Sequence, residues 1–362
     1  MERSLDVLDV RLRVESDDPD LVDAFFAVFA AFEVGPSARP PEGGEIAVRI
    51  DSARGIADVA GQVVTLAQGP LGAIHTYNLL FRALARSVSS SFLLHAAALS
   101  FGGRAFLVAG PSGSGKTSLA RALSARGGRL LSDDIAPLSV RDGLVHPFPR
   151  RVGVVRGPDS PLGPTRIVLG SKEFLEPGAL GAVVETAPLP LGAIVLLNPY
   201  AEDPTAVPVT VGVLGDGREF AKGLLDVPGI EVAGSHSAGG MTVIDLRATG
   251  GSACAAVDRA IEACEVDLVF HVRGYGDEKR YADRASLTRV SAREAGVELL
   301  RETLNREPAS VMLRRHGGSV IAALVELTGL IARVDCYRLT PGPVEETAAV
   351  LREAFEGSAG RP

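Results

Sequence analysis

Residues 106–117, Phe-Leu-Val-Ala-Gly-Pro-Ser-Gly-Ser-Gly-Lys-Thr, hold the residue types best suited to chemistry in this chain. An apolar run enters the pattern G-x-x-x-x-G-K-[ST], with Gly110, Gly115, Lys116 and Thr117 at its fixed places. Glycines let such a loop curl until successive backbone N–H groups face an anion, and a following helix adds the positive end of its dipole. Pro111, Ser112, Gly113, Ser114 and Ser118 complete the expected cradle. In a site of this kind Lys116 reaches the β- and γ-phosphates of a nucleoside triphosphate and the Thr117 hydroxyl ligates Mg²⁺.

Two more groups stand at suggestive distances. Arg129-Leu-Leu-Ser-Asp-Asp is a short apolar strand ending in Asp133 and Asp134. An acidic pair at a strand's C-terminal end can hold Mg²⁺ and accept a proton from an attacking hydroxyl. Upstream, His95 sits inside the apolar segment 91–100, which reads as a strand. The turn Phe101-Gly102-Gly103-Arg104 then predicts a hairpin into the phosphate-loop strand. That places His95 one strand from the loop, where it can contact the γ-phosphate or orient a carboxylate.

Taken together, His95, the loop 110–117 and Asp133-Asp134 resemble the HPr kinase/phosphorylase group. The histidine precedes Lys116 by 21 positions (116 minus 95), and the acidic pair begins 17 positions after it (133 minus 116). The nearer resemblance is to HPr-kinase-like proteins of bacterial peptide-modification clusters, including kinases of lasso-peptide pathways. It covers about 45 of 362 residues. It implies an α/β fold, a P-loop HPr-kinase/PEP-carboxykinase-like core with an N-terminal α/β region and C-terminal helices, using ATP and Mg²⁺. By the same resemblance Asp133 is the general base, Asp134 and Thr117 lie on the metal side, and His95 and Lys116 are active-site partners. A downstream cation near the transferred phosphate is also implied, with Arg150, Arg151 and Lys172 as candidates by position. The Leu-Glu-x-Arg-Gly segment of HPr kinases is absent, so the resemblance does not extend to phosphorylase activity or to HPr as substrate. The acceptor is then a hydroxyl on a peptide, a protein or a small molecule. HPr kinases form hexamers, which raises a homo-oligomer here. Other P-loop uses fit less well: there is no Asn-Lys-x-Asp guanine motif, and the apolar run 192–197 ends in Asn198-Pro199 rather than in acids.

Elements that must position these groups follow from pattern. Residues 1–90 read as an N-terminal α/β region, with strands at 5–14, 45–51 and 61–68, helices at 19–32 and 75–87, and a Gly/Pro-rich loop at 35–44. Residues 91–290 hold the nucleotide core and a variable segment. Within it a helix runs from Ser118 to Arg126 and stops at Gly127-Gly128; a strand at 241–246 and a helix at 253–263 come later. Residues 273–280 read as a lid or a charged surface loop. Ser291-Ala-Arg-Glu294 is a capping box that opens a helix to Asn305. A helix at 318–330, a strand at 333–339 and a helix at 343–355 complete a C-terminal segment 291–356, and 357–362 reads as a disordered tail.

Composition sets outer bounds. With 46% hydrophobic residues the chain can fill more than one core. A net charge of −7 with dispersed Lys and Arg argues against a nucleic-acid partner. No apolar stretch approaches a membrane span and the N-terminus lacks a signal-peptide pattern, so a cytoplasmic protein is expected. Cys254, Cys264 and Cys336 are read as free thiols.

Overall fold

The two glycines between residues 101 and 104 both take positive φ, 54° and 76°. This is the backbone of a two-residue hairpin turn, and it joins strand Ala96–Phe101 to strand Arg104–Ala109 with Phe101 opposite Arg104. The expected hairpin is present. In the computed structural model, described for residues 1–35, 38, 41–110, 114–155, 167–169, 172–197, 207–214, 217–225, 227–238, 241–249, 257, 268–273, 282–307 and 309–359, this hairpin lies in the middle of a ten-stranded sheet.

That sheet is built around strand Leu189–Leu197, the apolar run expected as a core strand. It runs parallel to Arg104–Ala109 on one side and to Asp335–Thr340 on the other. Ala96–Phe101 is antiparallel to both Arg104–Ala109 and Arg129–Ser132. The last two strands therefore point the same way. Their C-terminal ends, and the N-terminal end of Ala96–Phe101, meet at one edge of the sheet. His95, Gly110 and Asp133 each lie one residue beyond those three ends.

Alternation sends side chains to two faces. Ala97, Leu99, Phe106 and Val108 pack with helices Lys116–Ser124 and Val344–Ala359, where Phe106 stacks on Phe355 at 4.3 Å between ring centroids. Ala96, Ala98, Leu107 and Ala109 pack with helices Ala292–Arg301 and Val320–Leu330. The result is a mixed α/β architecture with helices on both faces of the sheet.

A separate six-stranded sheet is formed by Glu33–Val34, Glu2–Val7, Val10–Ser16, Glu45–Asp51, Ile56–Val59 and Gln62–Thr65, in that spatial order. Helices Asp20–Val28 and Gly72–Ser87 cover it through Phe25, Phe26, Leu80 and Leu84, with Phe29 just beyond the first helix. The buried Asp9 carboxylate accepts backbone and hydroxyl hydrogen bonds from Ser89 and Ser90, at 2.7 to 3.2 Å. This fastens the unit to the start of strand Ser91–Leu94. A four-stranded sheet in the order Ile230–Ala238, Met241–Ala248, Val207–Leu214, Leu268–Arg273 and a three-stranded one with Lys172–Leu175 at its centre complete the sheets.

Several boundaries differ from the sequence expectation. The strand expected at 5–14 is two, turning at Leu8 (φ 56°) and Asp9; no glycine marks that turn. The helix expected over 19–32 ends at Val28 and continues as a 3₁₀ turn at Ala30–Phe32. Segment 91–100 is also two strands, broken at His95, because Leu94 and Ala96 pair with different partners. Ser291 caps Ala292–Arg301 as expected, accepting from Glu294 N–H, but the helix stops at Arg301. The C-terminal helix runs to Ala359, through the first three residues of the expected tail. Cys336 is a buried free thiol. Apart from Val257 and Arg273, the helix expected at 253–263 and the loop expected at 273–280 fall outside the described residues, as do Cys254 and Cys264.

Candidate functional site

Strand Arg104–Ala109 ends where glycine becomes necessary. A Cβ on Gly110 would lie 2.7 Å from the Leu197 carbonyl oxygen and 3.0 Å from Ser114 Oγ. Gly115, at φ 101°, precedes helix Lys116–Ser124 in a left-handed conformation that side chains disfavour. Pro111, Ser112 and Gly113 lie outside the described residues. Lys116 Nζ folds back to donate to the Gly110 carbonyl at 2.7 Å, and Lys116 is only 4% exposed. Ser114 Oγ is buried with no hydrogen-bond partner among the described residues. Thr117 stands half-buried and Ser118 exposed on the helix's first turn.

Around Lys116 Nζ the other expected groups come together. His95 Nε2 lies 3.0 Å from it and Asp134 Oδ1 3.7 Å; His95 Nε2 and Asp134 Oδ1 are 2.9 Å apart. The strand before the acidic pair ends at Ser132, whose Oγ accepts the N–H groups of Asp134 and Ile135 at 3.4 and 3.1 Å. That turn separates the two carboxylates. Asp133 is 2% exposed, and its Oδ2 accepts the Gly153 N–H at 3.2 Å. The Asp134 side chain is 30% exposed and faces His95 and Lys116.

Arg150 bridges the pair. Its Nη2 lies 3.3 Å from Asp133 Oδ1 and 3.1 Å from Asp134 Oδ2. Its charge also acts on Tyr77, a residue of helix Gly72–Ser87 in the N-terminal unit. Tyr77 is held in turn by rings of Phe25 and Phe174, at 5.5 and 5.9 Å. The remaining cations behave differently. Arg151 pairs with Glu176 at 2.7 Å, while Lys172 is exposed on its strand and near enough to Lys116 to disfavour its charge.

Electrostatics push the two carboxyls apart. Burial raises the Asp133 carboxyl above the usual range, and the Arg150 charge only partly opposes this. Burial works on Asp134 as well, but His95, Lys116 and Arg150 outweigh it and hold that carboxyl well below the usual range. Burial lowers Lys116, with Asp134 offsetting only part of it. His95 goes the other way: burial disfavours the imidazolium, yet Asp134 raises its pKa above the ordinary histidine value.

Glu302 was not foreseen. Its Oε2 is 3.4 Å from His95 Nδ1 and its carbonyl accepts the His95 N–H at 3.0 Å. Asn305, fully buried, fixes this segment by donating to the Val88 and Ser91 carbonyls and accepting from Leu93 N–H. Nothing local in the sequence marks Glu302 or Tyr77, since each is one polar residue in an ordinary amphipathic stretch.

Among the described residues no group of three or more His, Cys, Asp or Glu side chains is arranged to hold a metal alone. A threonine and one open carboxylate fit Mg²⁺ nonetheless, because that ion keeps waters and phosphate oxygens as ligands. Among the described residues no helix is long and apolar enough to cross a membrane. Comparison with protein-family models and with curated proteins finds no match to this chain.

Proposed function

We propose that the protein is an ATP-dependent kinase that transfers the γ-phosphoryl group to a hydroxyl, on a serine or threonine of a peptide or protein or on a small alcohol. One observation carries this reading: Lys116, His95 and Asp134 converge within 3.7 Å beside the glycine turn that would receive the phosphates. In the transfer the acceptor oxygen forms a bond to phosphorus, the bond to the β-phosphate oxygen breaks, ADP leaves, and the hydroxyl proton needs an acceptor.

In our reading the roles within the acidic pair are the reverse of those the resemblance implies, because Asp134 is the open carboxylate and Asp133 the enclosed one. Asp134, open and hydrogen-bonded to His95, takes the proton acceptor's place. Asp133, enclosed by Arg150 and the Gly153 N–H, acts as a positioning residue for it. Lys116, now turned to the Gly110 carbonyl, would swing to the β- and γ-phosphates, and Lys172 offers a second cation on the open side. Mg²⁺ would be held by Thr117 and phosphate oxygens and would supply charge neutralisation. Positioning and electrostatics suffice for phosphoryl transfer, so this set is chemically adequate.

The test is transfer of labelled γ-phosphate from Mg-ATP into size-fractionated extract of the source cells. Label should appear with wild type and be lost with Lys116→Ala and Asp134→Asn, the latter still binding ATP. Transfer by Asp134→Asn at the wild-type rate removes the proposed base. ATP binding with no transfer to any fraction would favour a nucleotide-dependent regulatory protein instead.

A further inference from the structure

The chain around Glu302 also walls a cavity apart from the phosphate site. It holds about 140 Å³, and its apolar walls are Phe92, Leu300, Met312, Leu313, Val320 and Ala323. A cavity of about 150 Å³ with walls of this kind stays dry and takes up benzene. This one is therefore sized for a single phenyl or isobutyl group. Two polar walls are already satisfied: Thr303 Oγ1 donates to the Leu299 carbonyl, and the Asn305 amide is engaged by Val88, Ser91 and Leu93, while Arg301 and Arg306 are the cations of the lining.

Two further features frame the opening. Val320, the first residue of helix Val320–Leu330, is 56% exposed and stands at the rim of the cavity. Arg301, also at the cavity, is exposed and has no ion-pair partner among the described residues. Arg301 and Thr303 flank Glu302, whose carboxylate reaches His95.

We propose that this cavity docks the acceptor of the kinase, as a peptide segment bearing a leucine- or phenylalanine-sized side chain beside an acidic residue. The inference rests on the kinase reading for its purpose but not for its geometry. The apolar side chain passes Val320 to fill the cavity, and the carboxylate meets Arg301. No residue of the phosphate site lines the cavity, so a small alcohol seated at Asp134 cannot use it. An acceptor that engages both must be a chain.

The experiment uses the full protein and three fluorescent, end-capped twelve-residue peptides of Gly and Ser carrying one Leu-Asp, Ala-Asp or Leu-Lys pair, read by anisotropy without nucleotide. The Leu-Asp peptide should bind, and replacing Leu by Ala should weaken it about tenfold or more. Ala323→Leu, which fills the cavity, should have the same effect, and the exposed Arg301→Glu should reverse the preference toward Leu-Lys. Lys116→Ala should bind all three as wild type does. The proposal is overturned if the three peptides bind alike, if none binds at millimolar concentration, or if neither variant changes binding. It is also overturned if the Ala323→Leu change abolishes self-association instead, since the occupant is then a second copy. Leu-Asp selectivity without phosphate transfer would leave the docking site standing and remove the kinase reading; transfer without selectivity would do the reverse.

Discussion

Glu302 Oε2 lies 3.4 Å from His95 Nδ1 across 207 positions of chain, and the same two residues share a backbone hydrogen bond of 3.0 Å. With Asp134 on the other ring nitrogen, His95 is gripped by a carboxylate at each end. Removing one charge should release part of the upward push on the imidazole. Glu302→Gln is expected to lower the His95 pKa, followed by NMR titration of the labelled ring, with the backbone contact retained. An unchanged titration would separate Glu302 from the site's electrostatics.

Among the described residues Arg150 forms ion pairs with both carboxylates. Taking a partner from a buried charge cluster leaves its counter-charges uncompensated, at a cost of about 3–5 kcal/mol. Arg150→Met should therefore destabilise the fold by that order in urea titrations at pH 7. Tyr77→Phe, which removes only a hydroxyl from Arg150, should cost about 1–3 kcal/mol. Losses smaller than 1 kcal/mol in Arg150→Met would mean that the cluster reorganises freely.

His75 offers a clean pH signature. Its Nδ1 accepts the Ala67 N–H at 2.9 Å, and burial pushes its pKa down to about 4. The neutral ring is favoured in the fold, whereas the unfolded chain takes up a proton near pH 6.5. Stability from this group is complete above pH 6.5 and falls as the pH drops toward 4, by up to about 3 kcal/mol. His75→Asn keeps an acceptor but cannot titrate. It should flatten the decline in unfolding free energy between pH 6.5 and 4.5, and an equally steep decline in the variant would assign the slope elsewhere.

Gly110 tests the loop without touching a charged group. A methyl there would press on the Leu197 carbonyl and on Ser114 Oγ. Gly110→Ala should weaken Mg-ATP binding at least about tenfold while leaving the far-ultraviolet circular dichroism unchanged. Wild-type affinity in calorimetry would show that the loop accommodates the methyl.

What could be read in advance followed local rules. The Gly102-Gly103 hairpin, the Ser291 cap and the strand–glycine–helix order around Lys116 each depend on a few adjacent residues. The position of His95 between two strands did not announce itself, because Leu94 to Ala98 is one apolar run with no breaker. The turn at Leu8-Asp9 was hidden for a related reason: it places a leucine at φ 56°, where Gly or Asn is the usual signal. Of the three downstream cations, Arg150 pairs with the two carboxylates, Arg151 turns to Glu176, and Lys172 is exposed, a division that adjacent positions in the sequence do not reveal. Glu302 and Tyr77 enter the site through tertiary contacts alone. No periodicity in a helix says that its polar residue will meet a histidine two hundred positions away.

Strand Leu189–Leu197 has neighbours made at very different times. Its partner Arg104–Ala109 precedes it, but Asp335–Thr340 on the other side is synthesised last of all the strands. From Leu197 to Asp335 is 138 residues (335 minus 197), roughly 7 to 28 s of translation at about 5–20 residues per second. During that interval an apolar strand stands with an open edge, which is a template for pairing with another chain. The nascent protein therefore passes through a window of aggregation risk, and a chain that terminates before Asp335 never leaves it.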